Sequence, residues 1–169
     1  MKCPYLLICF CAVLFMSAAI AGQGSVGVLS QGETHIALSS GKTNVQVVIK
    51  THEVQIGKPS DPRPGIIESN CTYSRYPCSV VDFIGITVNG VRLFVPRSAF
   101  ADLADLNLGK IEASKMGWVL TLTGGDASES YVVKIEFDTN GVNKRTVFSA
   151  MAPDKPVEQT NYYEVVIGW

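Results

Sequence analysis

The chain has 169 residues, of which 47% are apolar and 17% are charged, so its composition is that of a folded protein rather than a disordered one. The 14 basic and 15 acidic residues leave a net charge of −1. A nucleic-acid binder needs a basic surface that displaces counterions, and this balance argues against one.

The first 21 residues have the three parts of a cleaved export signal. Lys2 gives a positive start, residues 6–16 are apolar and uncharged, and Ala19-Ile20-Ala21 offers small side chains to signal peptidase. A retained anchor is the alternative, but a helix over residues 6–16 rises only about 16 Å, roughly half of a bilayer core. We therefore expect an exported protein, periplasmic or secreted, in which residues 22–169 form a single β-rich domain without a membrane anchor.

Apolar and polar residues alternate through most of the remaining chain, which is typical of half-buried strands. The first half predicts strands over residues 26–30, 34–40 and 45–49. The alternating apolar residues occupy odd positions up to Ile49 but even positions at Val54 and Ile56. This change predicts either a bulge between Lys50 and Glu53 or two separate strands.

The clearest local pattern is Asn89-Gly90, which lies between two apolar runs, residues 80–88 and 91–95. Asn-Gly is typical of a two-residue type I′ turn, because both turn positions need positive φ. The turn fixes the register and predicts three facing apolar pairs on one face of a hairpin. The pairs are Val88 with Val91, Ile86 with Leu93, and Ile84 with Val95.

Residues 98–106 predict one short helix, and Ser98 can cap its first turn. Three apolar residues share a face that must pack on a sheet, because two helical turns are not stable alone. These residues are Phe100, Leu103 and Ala104. Asp102 and Asp105 lie three positions apart, and we expect both to be solvated charges rather than a carboxylate pair.

The second half again predicts strands, over residues 118–123, 131–137, 142–150 and 162–167, with a proline-containing loop over 152–158. Asn143 and Arg145 lie on the polar side of the third of these strands. About eight or nine short strands with one small helix predict an all-β fold, an antiparallel β-sandwich or a flattened barrel.

The turn after Gly125 carries three side-chain oxygen donors, on Asp126, Ser128 and Glu129. They suggest a calcium site, but calcium takes about six or more oxygen ligands. We therefore expect a hairpin loop in which Asp126 accepts hydrogen bonds from nearby backbone amides, and we expect no bound metal.

Two of the five cysteines, Cys71 and Cys78, remain after removal of the export signal. An even count in an oxidising compartment favours a disulfide, which stabilises a loop this short by about 2–3 kcal/mol. A thiol metal site is the alternative, but the spacing is unlike that of zinc sites, and His35 and His52 lie far upstream. Asn70-Cys71-Thr72 also matches the N-glycosylation pattern, which applies only to a eukaryotic source.

Residues 57–79 form the longest stretch without a strand pattern, and loops of this length are often functional. Between the two cysteines lie Tyr73, Arg75 and Tyr76, residue types that are frequent in recognition surfaces. A disulfide would hold them in place and reduce the entropy lost on binding. The alternative is a purely structural loop whose tyrosines pack on the sheet.

The sequence contains no specific catalytic signature, neither a nucleophile elbow nor a phosphate-binding loop nor a metalloprotease motif. We therefore expect a non-enzymatic binding domain without a cofactor. The first hypothesis is that it recognises another exported protein through Tyr73, Arg75 and Tyr76, for example as an inhibitor or immunity protein for an exported hydrolase.

Two other functions stay open. One is a carbohydrate-binding or small-ligand module that uses exposed aromatic side chains. Its candidate residues are Trp118, Trp169, Tyr162 and Tyr163, although core packing is the default for Trp118. The other is an unrecognised hydrolase whose catalytic residues meet only in space, with His52 as a candidate base.

Overall fold

The computed structural model describes residues 25–58, 61 and 71–163, and within them ten strands form two antiparallel sheets. This confirms the predicted all-β sandwich. The strands are β1 (Val26–Gly27), β2 (Gly32–Ser40), β3 (Thr43–Val54), β4 (Cys78–Val88), β5 (Val91–Arg92), β6 (Leu106–Ser114), β7 (Gly117–Gly124), β8 (Tyr131–Phe137), β9 (Val142–Ser149) and β10 (Pro156–Asn161). The predicted export signal, residues 1–21, lies outside the described residues.

The chain crosses from one sheet to the other soon after β1. The six-stranded sheet has the order β1-β6-β7-β8-β9-β10, and the four-stranded sheet has the order β2-β3-β4-β5. Leu29 fixes the crossing, because its N–H donates to Thr34 Oγ1 at 3.0 Å and its carbonyl accepts from Thr51 Oγ1 at 2.7 Å. Both hydroxyl groups belong to the four-stranded sheet, so the segment after β1 is held against that sheet.

The Asn89-Gly90 turn has the predicted register, but one of the residues predicted to share the apolar face of the hairpin is exposed. Val88 pairs with Val91, and the N–H of Leu93 donates to the carbonyl of Ile86 at 2.9 Å. Leu93 is buried, whereas Val91 is 64% exposed. The difference arises because Val91 begins a two-residue edge strand next to the turn, so only its partner Val88 reaches the core.

The pairing of β3 with β4 is irregular within the predicted range, but β3 is one continuous strand and the extra residue is on β4. The register shifts between Lys50, which pairs with Phe83, and Thr51, which pairs with Val81. The extra residue is therefore Asp82 on β4. The shift changes which residues of β4 face the core, so that Val81 and Ile84 are both buried although they differ in parity.

The predicted helix over residues 98–106 is wrong. Only Arg97–Ala99 forms a 3₁₀ turn, and Ser98 does not cap it. The backbone forms local bonds only as far as Leu103, whose N–H donates to the carbonyl of Phe100 at 3.0 Å. From there it pairs with β4: Val81 N–H donates to the carbonyl of Leu103 at 3.0 Å, and Ala104 bridges to Val80. The expected packing is confirmed, since Phe100, Leu103 and Ala104 are all buried. Among the described residues, no helix is long and apolar enough to cross a membrane.

The last described strand begins earlier than the sequence predicts. β10 starts at Pro156, in the stretch predicted to be a loop, because a proline is tolerated at the first residue of an edge strand. Of the predicted strand over 162–167, residues 162 and 163 lie outside any strand, and the others lie outside the described residues.

Arg145 on β9 is a buried residue, not part of a solvent-facing polar side. It is 2% exposed and lies on the same face as the buried Val147. Its guanidinium donates to Asp102 Oδ2 at 2.5 Å and to Glu158 Oε1. Two carboxylates compensate the buried charge, so an arginine can occupy this buried position of the strand.

The two sheets face each other closely at Gly109 on β6. A Cβ atom at this position would overlap with Cδ1 of Ile36 on β2 and would lie 3.3 Å from Cδ2 of Leu122. Ile36 is only 3% exposed, so its side chain has little room to move away. Glycine at this position therefore permits the observed distance between the sheets.

We expect Gly109→Ala to lower the free energy of unfolding by about 1–3 kcal/mol, because one added methyl group overpacks the core. Gly141→Ala is the matched control, since a Cβ there meets no atom within 4 Å and its φ lies outside the left-handed region. Urea unfolding of both variants measures the effect. Equal stability of the two variants would contradict this interpretation of the interface.

Candidate functional site

The predicted disulfide is confirmed. Cys71 and Cys78 are bonded, with their Cα atoms 5.6 Å apart, and both are buried. Their side chains pack with Ala104, Ile56 and Val80 in a small cluster beside the main core. We call residues 71–78 the clip. Residues 62–70 of the predicted loop lie outside the described residues.

A single buried carboxylate holds both ends of the clip. Asp105 Oδ2 accepts from the N–H of Thr72 at 2.7 Å, and Oδ1 accepts from the N–H of Ser79 at 2.9 Å. Asp105 also donates its own N–H to the carbonyl of Ser79 at 2.6 Å. It is 1% exposed, so the expectation that Asp105 is a solvated charge is wrong. Asp102, the other predicted solvated charge, is half-exposed and pairs with Arg145.

Asp105 itself is positioned by its neighbours in the chain and in β8. Its φ is +49°, in the left-handed region that aspartate tolerates better than most residues. Tyr131 Oη donates to the carbonyl of Ala104 at 2.5 Å and accepts from its N–H at 3.1 Å. Burial raises the pKa of Tyr131 above its ordinary value, so the phenol stays neutral and keeps both bonds.

Arg75 points toward the sandwich rather than away from it. Its guanidinium donates to Asn107 Oδ1 at 2.6 Å and to the carbonyl of Asp105 at 3.3 Å. Asn107 Nδ2 in turn donates to the carbonyl of Gly125 at 2.8 Å. The predicted recognition residue is therefore half-buried and fastens the clip to β6 and to the turn after β7.

Tyr73 is the most exposed of the three predicted recognition residues. Its side chain is 58% exposed, whereas Arg75 and Tyr76 are half-buried. Its backbone N–H donates to Glu129 Oε2 at 2.7 Å. The adjacent Ser74 hydroxyl donates to Asp126 Oδ2 at 3.4 Å. The clip thus brings Tyr73 next to two exposed carboxylates of the turn between β7 and β8.

The turn between β7 and β8 has the predicted hairpin-loop structure. Asp126 Oδ1 accepts from the N–H of Ala127 at 2.8 Å, and Gly125 has a φ of +74°. Across residues 25–58, 61 and 71–163, no cluster of three or more His, Cys, Asp or Glu side chains with metal-binding geometry is present. Glu129 was considered only as a calcium ligand, and its contact with the clip was not predicted.

The residues of the two alternative functions are placed apart from the clip. Trp118 is half-buried against Phe137, with ring centroids 5.8 Å apart, and Trp169 lies outside the described residues. His52 Nδ1 lies 2.8 Å from the Asp82 carboxylate. In the part of the chain that the structure describes, no hydroxyl or thiol hydrogen-bonds to the other ring nitrogen of His52.

Comparisons with protein-family models, with curated proteins and with solved structures returned no match.

We expect Asp105→Asn to lower the free energy of unfolding by about 1–3 kcal/mol. Asparagine keeps the tolerance for positive φ, but its NH₂ group would face one of the two backbone N–H donors and leave it unpaired. Asp154→Asn, the same change at an exposed carboxylate, serves as control. Urea unfolding under oxidising conditions gives the comparison, and an equal, small effect of both changes would show that Asp105 does not anchor the clip.

Proposed function

We propose that this chain is an exported, non-enzymatic domain that binds another exported protein through the clip. An inhibitor or immunity protein for an exported hydrolase is one form of this function. The observation that carries the proposal is that hydrogen bonds hold the backbone of the clip in place while the side chain of Tyr73 is exposed.

The anchoring of the clip reduces the entropy that binding would cost. The disulfide joins its ends, Asp105 accepts from Thr72 and Ser79, and Glu129 accepts from the N–H of Tyr73. These contacts use the backbone, so they order the loop without covering the Tyr73 ring. A tyrosine on an ordered backbone has only two side-chain torsions to lose when a partner covers it, and such residues often dominate binding energy.

The surface around Tyr73 also suggests the chemistry of a partner. Asp126 and Glu129 are exposed beside it, and the guanidinium of Arg75 is occupied inside the protein. An aromatic centre with an acidic border is complementary to an apolar recess with a basic border. Binding of this kind should weaken and slow as salt concentration rises.

Two features support export. Residues 1–21 have the sequence pattern of a cleaved signal, and the disulfide between Cys71 and Cys78 is typical of an oxidising compartment.

We expect Tyr73→Ala to weaken capture of the partner by about thirtyfold, as at a binding hot spot of about 2 kcal/mol. The measurement is affinity capture from the exported protein fraction of the source organism, followed by titration with the captured protein. The fold should survive, because the ring is largely exposed and its backbone contact with Glu129 remains.

Met116→Ala is the matched control. Met116 is 84% exposed in the turn between β6 and β7, whereas the clip lies at the other end of β7. A protein retained by the unchanged chain and by Met116→Ala, but lost with Tyr73→Ala, supports the proposal. Retention of the same protein by Tyr73→Ala at full affinity would sink it.

A further inference from the structure

A recess lies at the end of β8 opposite the clip. It has a volume of about 530 Å³, within the range of about 300–1,000 Å³ that is usual for small-ligand sites. We call it the aromatic recess. The residues that matter for its chemistry are Phe94, Asp138, Asn140, Asn143, Tyr162 and Tyr163.

The aromatic side of this recess combines one fixed ring with two exposed rings. Tyr162 is half-buried against the core, its N–H donates to the carbonyl of Asn143 at 2.8 Å, and its hydroxyl accepts from Ser98 at 3.3 Å. Phe94 is 78% exposed and Tyr163 is 82% exposed. Both rings line the same recess, and apolar surface gathered at one place marks a binding site more often than side chains exposed singly.

The polar side of the recess is an ordered turn. Asp138 accepts from the N–H of Asn140 at 2.6 Å, from Asn143 Nδ2 at 3.0 Å and from the N–H of Gly141 at 3.3 Å. The bond from Asn140 is the largest of the causes that hold the pKa of Asp138 below its usual range. The side-chain amide of Asn140 has no hydrogen bond to another described residue, so it remains available to a ligand.

The charges that line the recess indicate a neutral ligand. None of the lining residues is a lysine, arginine or histidine, so nothing there would pair with an anion. The single carboxylate, on Asp138, already accepts three hydrogen bonds, so it does not require a cation. What remains is a set of aromatic faces next to neutral amide groups.

We propose that the aromatic recess binds a neutral saccharide. A pyranose ring presents C–H faces that pack on aromatic rings. Its hydroxyl groups donate to carboxylates and amide oxygens and accept from amide N–H groups. A saccharide can therefore contact the aromatic side and the polar side of the recess at the same time. The site includes Phe94, Asp138 and Asn140, which the sequence did not suggest for this role.

The aromatic recess is separate from the clip. The turn that carries Asp126 and Glu129 precedes β8, and the turn that carries Asp138 and Asn140 follows it. The seven residues of β8 separate the two turns by about 20 Å. Saccharide binding therefore does not depend on the proposed protein-binding function, and either can fail alone.

Saturation-transfer NMR with the chain without its predicted export signal, residues 22–169, tests the proposal. The probes are cellotriose, maltotriose, mannotriose, chitotriose and lactose, with choline and inorganic phosphate as charged comparisons. We expect at least one saccharide to bind with a dissociation constant in the millimolar range or below, and we expect no signal from choline or phosphate. Tyr163→Ala should weaken that binding at least about tenfold.

Two further variants separate the site from general effects on folding. Gly141→Leu adds a side chain beside the recess where a Cβ meets no atom within 4 Å, and it should block binding while the circular dichroism spectrum is unchanged. Met151→Ala, at an exposed residue outside the recess, should bind as the unchanged chain does. The proposal is overturned by a lack of binding of every saccharide, by preferential binding of choline or phosphate, or by binding that Tyr163→Ala and Gly141→Leu leave intact.

Discussion

The buried Asp105 determines the position of the clip, and through the clip the position of Tyr73. Burying a carboxyl group is costly unless hydrogen bonds satisfy it, and every polar group of Asp105 has a partner. Its carboxylate holds Thr72 and Ser79, its N–H bonds to Ser79, and its carbonyl accepts from Gly125 and Arg75. A displaced clip would leave the buried backbone N–H groups of Thr72 and Ser79 unpaired. The disulfide and Asp105 therefore restrict the clip in different ways. The disulfide limits the distance between its two ends, and Asp105 determines where these ends lie on the sandwich.

The sequence could predict the parts of the fold that depend on neighbouring residues. Asn89-Gly90 determines a hairpin register because two residues with positive φ permit only one pairing. The parity change near Val54 pointed to the right part of β3, but it did not show that the extra residue is Asp82 on β4. Asp105 could not be found in this way. Its partners Thr72 and Ser79 lie 33 and 26 positions away in the sequence, and its local pattern resembles a helix. Helical spacing was misleading because the carbonyl of Leu103 and the N–H of Asp105 bond to β4, while both backbone groups of Ala104 bond to the Tyr131 hydroxyl. Only the assembled sandwich provides these partners.

Both arginines that were expected to be polar surface residues form contacts within the protein. Arg145 pairs with Asp102 and Glu158 beside the core, and Arg75 joins Asn107 to the clip. A guanidinium offers several directed donors, and these bond equally well to a partner protein or to carbonyl and carboxylate groups of the same chain. Residue type therefore identified the clip as a segment rich in residue types that are frequent in recognition surfaces. It could not distinguish Arg75, which fastens the loop, from Tyr73, whose side chain is exposed.

The turns at the two ends of β8 are ordered by the same kind of hydrogen bond. At each end an aspartate accepts hydrogen bonds from backbone amides of its own turn: Asp126 from Ala127, and Asp138 from Asn140 and Gly141. Because these bonds involve the backbone, they order each turn and leave aromatic side chains nearby exposed, Tyr73 at one end and Tyr163 at the other. The seven residues of β8 separate the two surfaces by about 20 Å. The proposed partner at the clip and the proposed ligand in the aromatic recess would therefore contact different residues, so binding at one surface does not require the other to be empty.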